Sequence, residues 1–149
     1  MEVLIMARPT EYGLDSFPLQ TNFNDDTDLF IAEMGTDGFA FLIAVWQIIY
    51  SNDGYFVFYN KNLIEKIKKR TGIEDKKIKE LVKKSLDYWI FDVDTFNDSN
   101  ILTSKQIQKT YFVEAEKTKK SIKYRPRFIL VYISVSKDRK VSFWGDEPR

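Results

Sequence analysis

The chain has 149 residues, 44% hydrophobic and 15% aromatic, with 12 Phe, 8 Tyr and 3 Trp, which fits one domain, or one domain and an appendage, and excludes two full-sized domains or disorder throughout. Cysteine and histidine are absent, which removes disulfides, thiol nucleophiles, Cys/His zinc sites and imidazole bases, and with them most enzyme classes. Net charge is only +1, yet residues 1–60 hold one basic side chain (Arg8) against nine acidic ones and residues 61–149 hold 22 basic against 13 acidic, so −8 faces +9.

The N-terminus offers no basic segment ahead of an apolar run and does not read as a secretory signal. Residues 1–24 carry Pro9, Gly13 and Pro18 among scattered Leu14, Phe17, Leu19 and Phe23. That spacing has neither helical nor strand period and reads as an extended arm pinned by its aromatics. Asp25, Asp26 and Asp28 offer caps and favourable first-turn charges for a short helix through Met34, ended by Gly35. Asp37 can cap the next helix, from Gly38 to about Ser51, which is apolar on nearly every face and is expected to be central. Truncating its Trp46 should cost about 3–5 kcal/mol. Its apolar run, residues 39–50, has 12 positions and includes Gln47, short of the roughly 18 uncharged residues of a membrane span. A cytoplasmic protein without a membrane partner is expected.

Residues 52–54 form a turn, and residues 55–59 are an aromatic, β-branched run that needs a strand partner later in the chain. Asn60 can cap a helix bearing Leu63, Ile64 and Ile67, with Gly72 beyond its end. A second helix starts near Glu74 or Asp75 and runs to about Tyr88. On it Ile78, Leu81, Val82 and Leu86 share one arc, while Lys76, Lys77, Lys79, Lys83 and Lys84 take the opposite face, interrupted by Glu80 and Asp87. Two short helices joined by residues 72–74 make a helix-turn-helix candidate whose second helix brings lysines to phosphates. A plain solvated helix has the same pattern. Ile90 and Phe91, then Ile101 and Leu102, read as strands of a β-hairpin wing around an acidic loop with Asp92, Asp94 and Asp98; residues 55–59 would be the third strand. Such a wing repels phosphate and suits a protein neighbour.

Thr103 or Ser104 caps a further helix with Ile107, Tyr111, Phe112 and Ala115 packed and Lys105 and Lys109 in water. Residues 117–127 then hold Lys117, Lys119, Lys120, Lys123, Arg125 and Arg127, no acid, and Tyr124 among them. Cations with an interleaved aromatic suit a phosphate track or a single strand; a solvated linker is the plain alternative. Residues 128–135 and 140–144 read as a terminal β-hairpin that docks on the helices or pairs with another copy. The expected fold class is mainly α with a small β-sheet: an extended arm at 1–24, a winged helix at 25–120, and a basic linker with hairpin at 121–149. Its core should include Phe17, Leu42, Trp46, Ile49, Leu63, Ile67, Ile78, Val82, Leu86 and Tyr111.

Several landmarks recur in order: Met6-Ala7-Arg8-Pro9, Gly13-Leu14-Asp15-Ser16-Phe17-Pro18-Leu19, Gly35 with Gly38-Phe39, Ile49-Tyr50, Gly54-Tyr55, and Ile101-Leu102-Thr103-Ser104 with Ile107-Gln108. In combination they resemble the N-terminal domain of phage and prophage replisome-organiser-like proteins, winged-helix relatives of the DnaD/DnaB-type primosomal proteins. The resemblance runs from residue 6 to about residue 120. It matches Arg8, Asp15, Phe17 and Pro18 to the family's arm, and Leu63, Ile67, Gly72, Ile78, Val82 and Leu86 to its helix-turn-helix frame. Phe91-Asp92 matches the end of the usual Gly-Leu-Phe-Asp, where Trp89-Ile90 replaces Gly-Leu and should reshape a sharp turn. The resemblance implies a part in replication initiation through DNA binding, oligomerisation or contacts to helicase-loading proteins.

The expectation is therefore a non-enzymatic DNA-associated module of low sequence specificity, without cofactor or metal. Lys76, Lys77, Lys79, Lys83 and Lys84 meet phosphates of duplex or forked DNA, and the cations of residues 117–127 extend the track. The alternative is a protein-interaction or homo-oligomerisation domain of a replication complex. Asp25, Asp26, Asp28, Glu33 and Asp37 could be imagined as a hard-cation site, but they lack EF-hand spacing, and helix caps explain them more cheaply.

Overall fold

Asn24 starts the first helix, α1 (Asp25–Ser51), because its side-chain oxygen accepts the Thr27 N–H at 2.8 Å. A computed structural model of the chain describes residues 12–138 and 140–145, so Arg8 and Pro9 of the arm lie outside the described residues. Gly35 leaves the helical region at φ 72°, ψ −155°, as the expected stop requires, but the helix resumes at once. Asp37 thus sits inside the resumed helix instead of capping it. α1 is long and apolar enough to cross a membrane, with 27 residues and a mean hydropathy of 1.5 over its most apolar stretch. In this fold its Phe30, Phe41, Leu42, Val45, Ile48 and Ile49 are buried, with α2 (Lys61–Thr71) and α3 (Asp75–Asp87) packed against it.

Not every face of α1 is covered. Leu29 and Phe39 remain 55% and 44% exposed. Trp46 is only half-buried, set edge-on to Phe23 of the arm at 5.6 Å, so the full cost of truncation moves to rings such as Phe30 and Phe41. Of the expected core, Leu42, Ile49, Leu63, Ile67, Ile78, Val82 and Tyr111 are buried, while Phe17 and Leu86 are half-buried like Trp46. Phe17 stacks on Tyr50 at 4.6 Å, which fastens the arm as its aromatics implied.

The expected three-stranded wing forms only in part. β1 (Val57–Phe58) pairs antiparallel with β2 (Ile101–Leu102), Val57 opposite Leu102 and Phe58 opposite Ile101. Ile90 and Phe91 are not a strand; a backbone bond from Asp92 N–H to Thr103 O, 2.8 Å, keeps their end beside β2. Residues 93–99 form a helix, α4 (Val93–Ser99), where an acidic loop was expected. Asp92 caps it by accepting from the Thr95 N–H at 2.8 Å, and Asn100 closes it in the left-handed region at φ 56°.

Ser104, not Thr103, caps α5 (Lys105–Lys117) by accepting the Ile107 N–H at 3.1 Å. The buried Gln108 of α5 donates to Thr103 Oγ1 (3.0 Å) and to Phe128 O (2.7 Å) and accepts from Leu130 N–H (2.7 Å). It therefore clamps the chain after a 3-10 turn, Pro126–Phe128. That turn delays the terminal hairpin: β3 (Tyr132–Val135) starts four residues later than expected and pairs with β4 (Val141–Gly145). β4 lies against α5, so docking within the chain is the arrangement present. The result is a mainly helical fold with two small antiparallel β pairs, consistent with a winged-helix-like architecture.

Candidate nucleic-acid interface

The two helices of the candidate motif are set by local chemistry. Asn60 caps α2 by accepting the Leu63 N–H at 2.9 Å, and Gly72 ends it at φ 76° with its N–H on Lys68 O at 2.7 Å. Thr71 Oγ1 accepts the Ile73 N–H at 3.1 Å and holds the connecting turn, whose Ile73 is buried. α3 then buries Ile78, Leu81, Val82 and Ser85.

The opposite side of α3 is open. Lys76, Lys79 and Lys83 are exposed and fall within an arc of about 60° at the helical repeat. Among the described residues none of the three makes an ion pair. The other two lysines are engaged: Lys77 with Glu80 at 3.2 Å and Lys84 with Glu33 of α1 at 2.8 Å. Glu33 also accepts the Tyr88 hydroxyl proton at 2.6 Å. The Lys84 hydrogen bond, then that from Tyr88, holds the Glu33 carboxyl below its ordinary value, and the same contact raises Lys84. α2 carries exposed lysines of its own, Lys66 and Lys69. The sequence reading missed them, although Lys66, Lys68, Lys69 and Arg70 form a visible basic run. Lys68 is held by Asp75 at 3.5 Å, and Arg70 donates to Gln47 at 3.0 Å.

The cations of residues 117–127 are not a uniform track. Lys119 and Arg127 are exposed, and Lys117 leans on Glu114 at 3.4 Å. The Lys120 side chain is 11% exposed and lies 3.9 Å from Asp15. Lys123 pairs with Asp53 at 3.5 Å and sits 5.8 Å from the Tyr12 ring centroid; Arg125 lies over Phe56 at 5.7 Å. Tyrosine hydroxyls fasten the segment: Tyr55 donates to Lys123 O and accepts from Arg125 N–H at 3.1 Å, while Tyr111 donates to Tyr12 O at 2.7 Å. Burial pushes the Tyr55 phenol up to about 12 and raises Tyr111 as well, so both stay protonated donors at neutral pH.

Between α3 and α4, Trp89 adopts φ 57° and is 63% exposed. Trp89 thus holds a left-handed conformation that a glycine adopts freely. Asp92 is spent on the α4 cap, whereas Asp94 and Asp98 are exposed. Asp25, Asp26 and Asp28 lie in the first turn of α1.

Residues 16–107 match the family described as Lin1244/Lin1753-like, N-terminal. The chain belongs to the Lin1244/Lin1753-like family. Over 119 residues it is 34% identical to the phage-related protein Lin1244/Lin1753 of Listeria innocua serovar 6a, an alignment covering 78% of this chain and 39% of that relative. The chain therefore spans well under half of that relative's length. No solved structure matches. The family span of this Lin1244/Lin1753-like chain includes α2, its turn and all of α3, and stops early in α5, before residues 117–127 and the terminal hairpin.

Proposed function

We propose that this Lin1244/Lin1753-like chain is a non-enzymatic, cytoplasmic DNA-associated module of phage replication initiation, held to duplex phosphates by α3. The observation that carries this reading is the open face of Lys76, Lys79 and Lys83 on the second helix of a helix-turn-helix-like pair. The phage-related relative and the resemblance to replisome-organiser N-terminal domains support the setting. Lysines act as flexible point charges, and the strongest base-edge readers are Arg, Asn and Gln, so this face favours phosphate over sequence. Sequence specificity is accordingly low.

A second reading, a docking domain for other replication proteins or for a second copy, is favoured by a different surface. An aromatic groove of about 460 Å³ is lined by Phe17, Phe23, Trp46, Tyr50 and the exposed Trp89, together with Asp26 and Asp92. Sedimentation of the full chain with and without duplex DNA, at several salt concentrations, separates the two. A monomer that shifts with duplex in low salt supports the first reading. A salt-sensitive dimer that ignores duplex overturns it and supports the second.

A further inference from the structure

The end of α1, β1 and the first turns of α2 enclose a second groove, of about 470 Å³, lined by none of the α3 lysines. That is the scale of a small-ligand site. Its walls are fixed. The arm crosses the end of α1 so closely that a Cβ on Gly13 would fall 2.0 Å from Ser51 O. Leu14 N–H bonds Tyr50 O at 2.7 Å, and Gly54 N–H bonds Ile49 O at 3.0 Å.

Three kinds of chemistry meet in this groove. Asn52 and Asn62 are exposed, and among the described residues their side-chain amides make no hydrogen bond; Asn60 spends its oxygen on the Leu63 N–H and keeps its NH2. Phe58 is 41% exposed, although it is braced nearly perpendicular to Phe56 and Phe128. Lys66 is exposed on the lining, and the Lys123–Asp53 pair sets a second cation at the edge.

An amide presents a donor and an acceptor side by side, as a base edge requires; an open aromatic face is a stacking platform; an ammonium meets phosphate. A duplex hides base faces and pairing edges, so only a nucleotide outside a duplex can use all three. We propose that this groove takes a nucleotide with an unpaired base, stacked on Phe58, met at its edge by Asn52 and Asn62, and held at its phosphate by Lys66. The site is separate from α3 and stands or falls independently of the duplex reading.

The test is a 15N NMR titration of the full chain, following the side-chain amide signals of the three asparagines. The probes are deoxyadenosine monophosphate, an oligodeoxyadenylate of about eight nucleotides, and a blunt duplex. Saturable shifts at Asn52 and Asn62 are expected with the unpaired probes, and Asn62→Ala or Lys66→Ala should weaken binding severalfold without changing the melting temperature. Phe58→Ala should lose about fivefold or more; where its contact with Phe128 makes that variant unfold, the two exposed variants carry the result. Tighter binding of the oligomer than of the monomer assigns the groove to single strands, and equal binding assigns it to free nucleotides. Asparagine signals that stay in place, or shifts that Asn62→Ala and Lys66→Ala leave unaltered, overturn the proposal. Asparagine shifts with unpaired probes and no binding of duplex would overturn the α3 reading alone.

Discussion

Replacing Lys76, Lys79 and Lys83 together by alanine tests the α3 surface where its expected size is set by the structure. Each phosphate neutralised contributes about −0.9 to the slope of log affinity against log salt. All eleven cations of the sequence-level track would give a slope of about −10, and an affinity falling about a million-fold between 50 and 200 mM salt. Three unpaired lysines on one face instead give about −2.7, a fall of about 40-fold over that range. Recruiting Lys77 and Lys84 from Glu80 and Glu33 would extend the slope to about −4.5. Duplex titrations by fluorescence anisotropy at four or so salt concentrations measure it, with circular dichroism confirming that the variant keeps its helices. Exposed lysine-to-alanine changes on a helix leave stability within about 0.5 kcal/mol, so lost affinity cannot be blamed on unfolding. A wild-type slope near zero, or one that the triple variant retains, would refute the reasoning.

The same structure fixes other outcomes. Gln108→Leu removes a buried clamp and strands the Leu130 N–H and Phe128 O, so urea unfolding should show a loss of about 3 kcal/mol; a loss below about 1 would mean that the hairpin segment does not depend on it. Gly54→Ala, at φ 101°, would set a Cβ 1.9 Å from the Tyr111 ring, whereas Gly72→Ala, at φ 76°, meets open space. The first should cost more than about 4 kcal/mol and the second about 1–2, compared by denaturant midpoints. Burial raises the phenols of Tyr50 and Tyr55 from 10.0 to about 12, so the unfolded chain ionises first: stability is full below about pH 10 and falls as pH rises toward 12, and Tyr50→Phe should flatten that fall. Glu33 is held below 4.5 chiefly by Lys84, so its contribution is present above about pH 4.5 and lost as pH drops through the lowered value; the midpoint gap between wild type and Glu33→Gln should narrow as the pH is lowered from there and close once the carboxyl is protonated in both folded and unfolded chains.

Much of this architecture could be read from residues in sequence because the causes are local. The Asn60 and Gly72 ends of α2, the Gly35 break and the Ile78–Leu81–Val82 stripe of α3 each depend on a neighbour within one turn of helix. α4 is not legible in the sequence because Asp92, Thr95 and Asn100 serve loops and helix ends equally, and only the geometry of the Asp92 cap decides. The hairpin begins later than the β-branched run suggests because Gln108, distant in sequence, holds residues 128 and 130 out of the strand.

The charge asymmetry was legible as a total and illegible as an arrangement. Lys84 meets Glu33, Lys120 meets Asp15 and Lys123 meets Asp53, so each of these pairs joins the basic C-terminal half to the acidic N-terminal half. Part of the −8 against +9 is thereby spent inside the molecule. Partly exposed pairs such as Lys84–Glu33 and Lys123–Asp53 contribute about 0–1 kcal/mol each to stability, so their larger effect is to cancel cations that composition alone would assign to a polyanion. Lys76, Lys79 and Lys83 escape because no acidic residue of α1 or the described arm pairs with their side of α3. Which α3 lysines stay open is therefore decided partly by Glu80 of α3 itself, which takes Lys77, and partly by the packing of α1 against α3, which brings Glu33 to Lys84 and which the composition of the α3 segment alone cannot show.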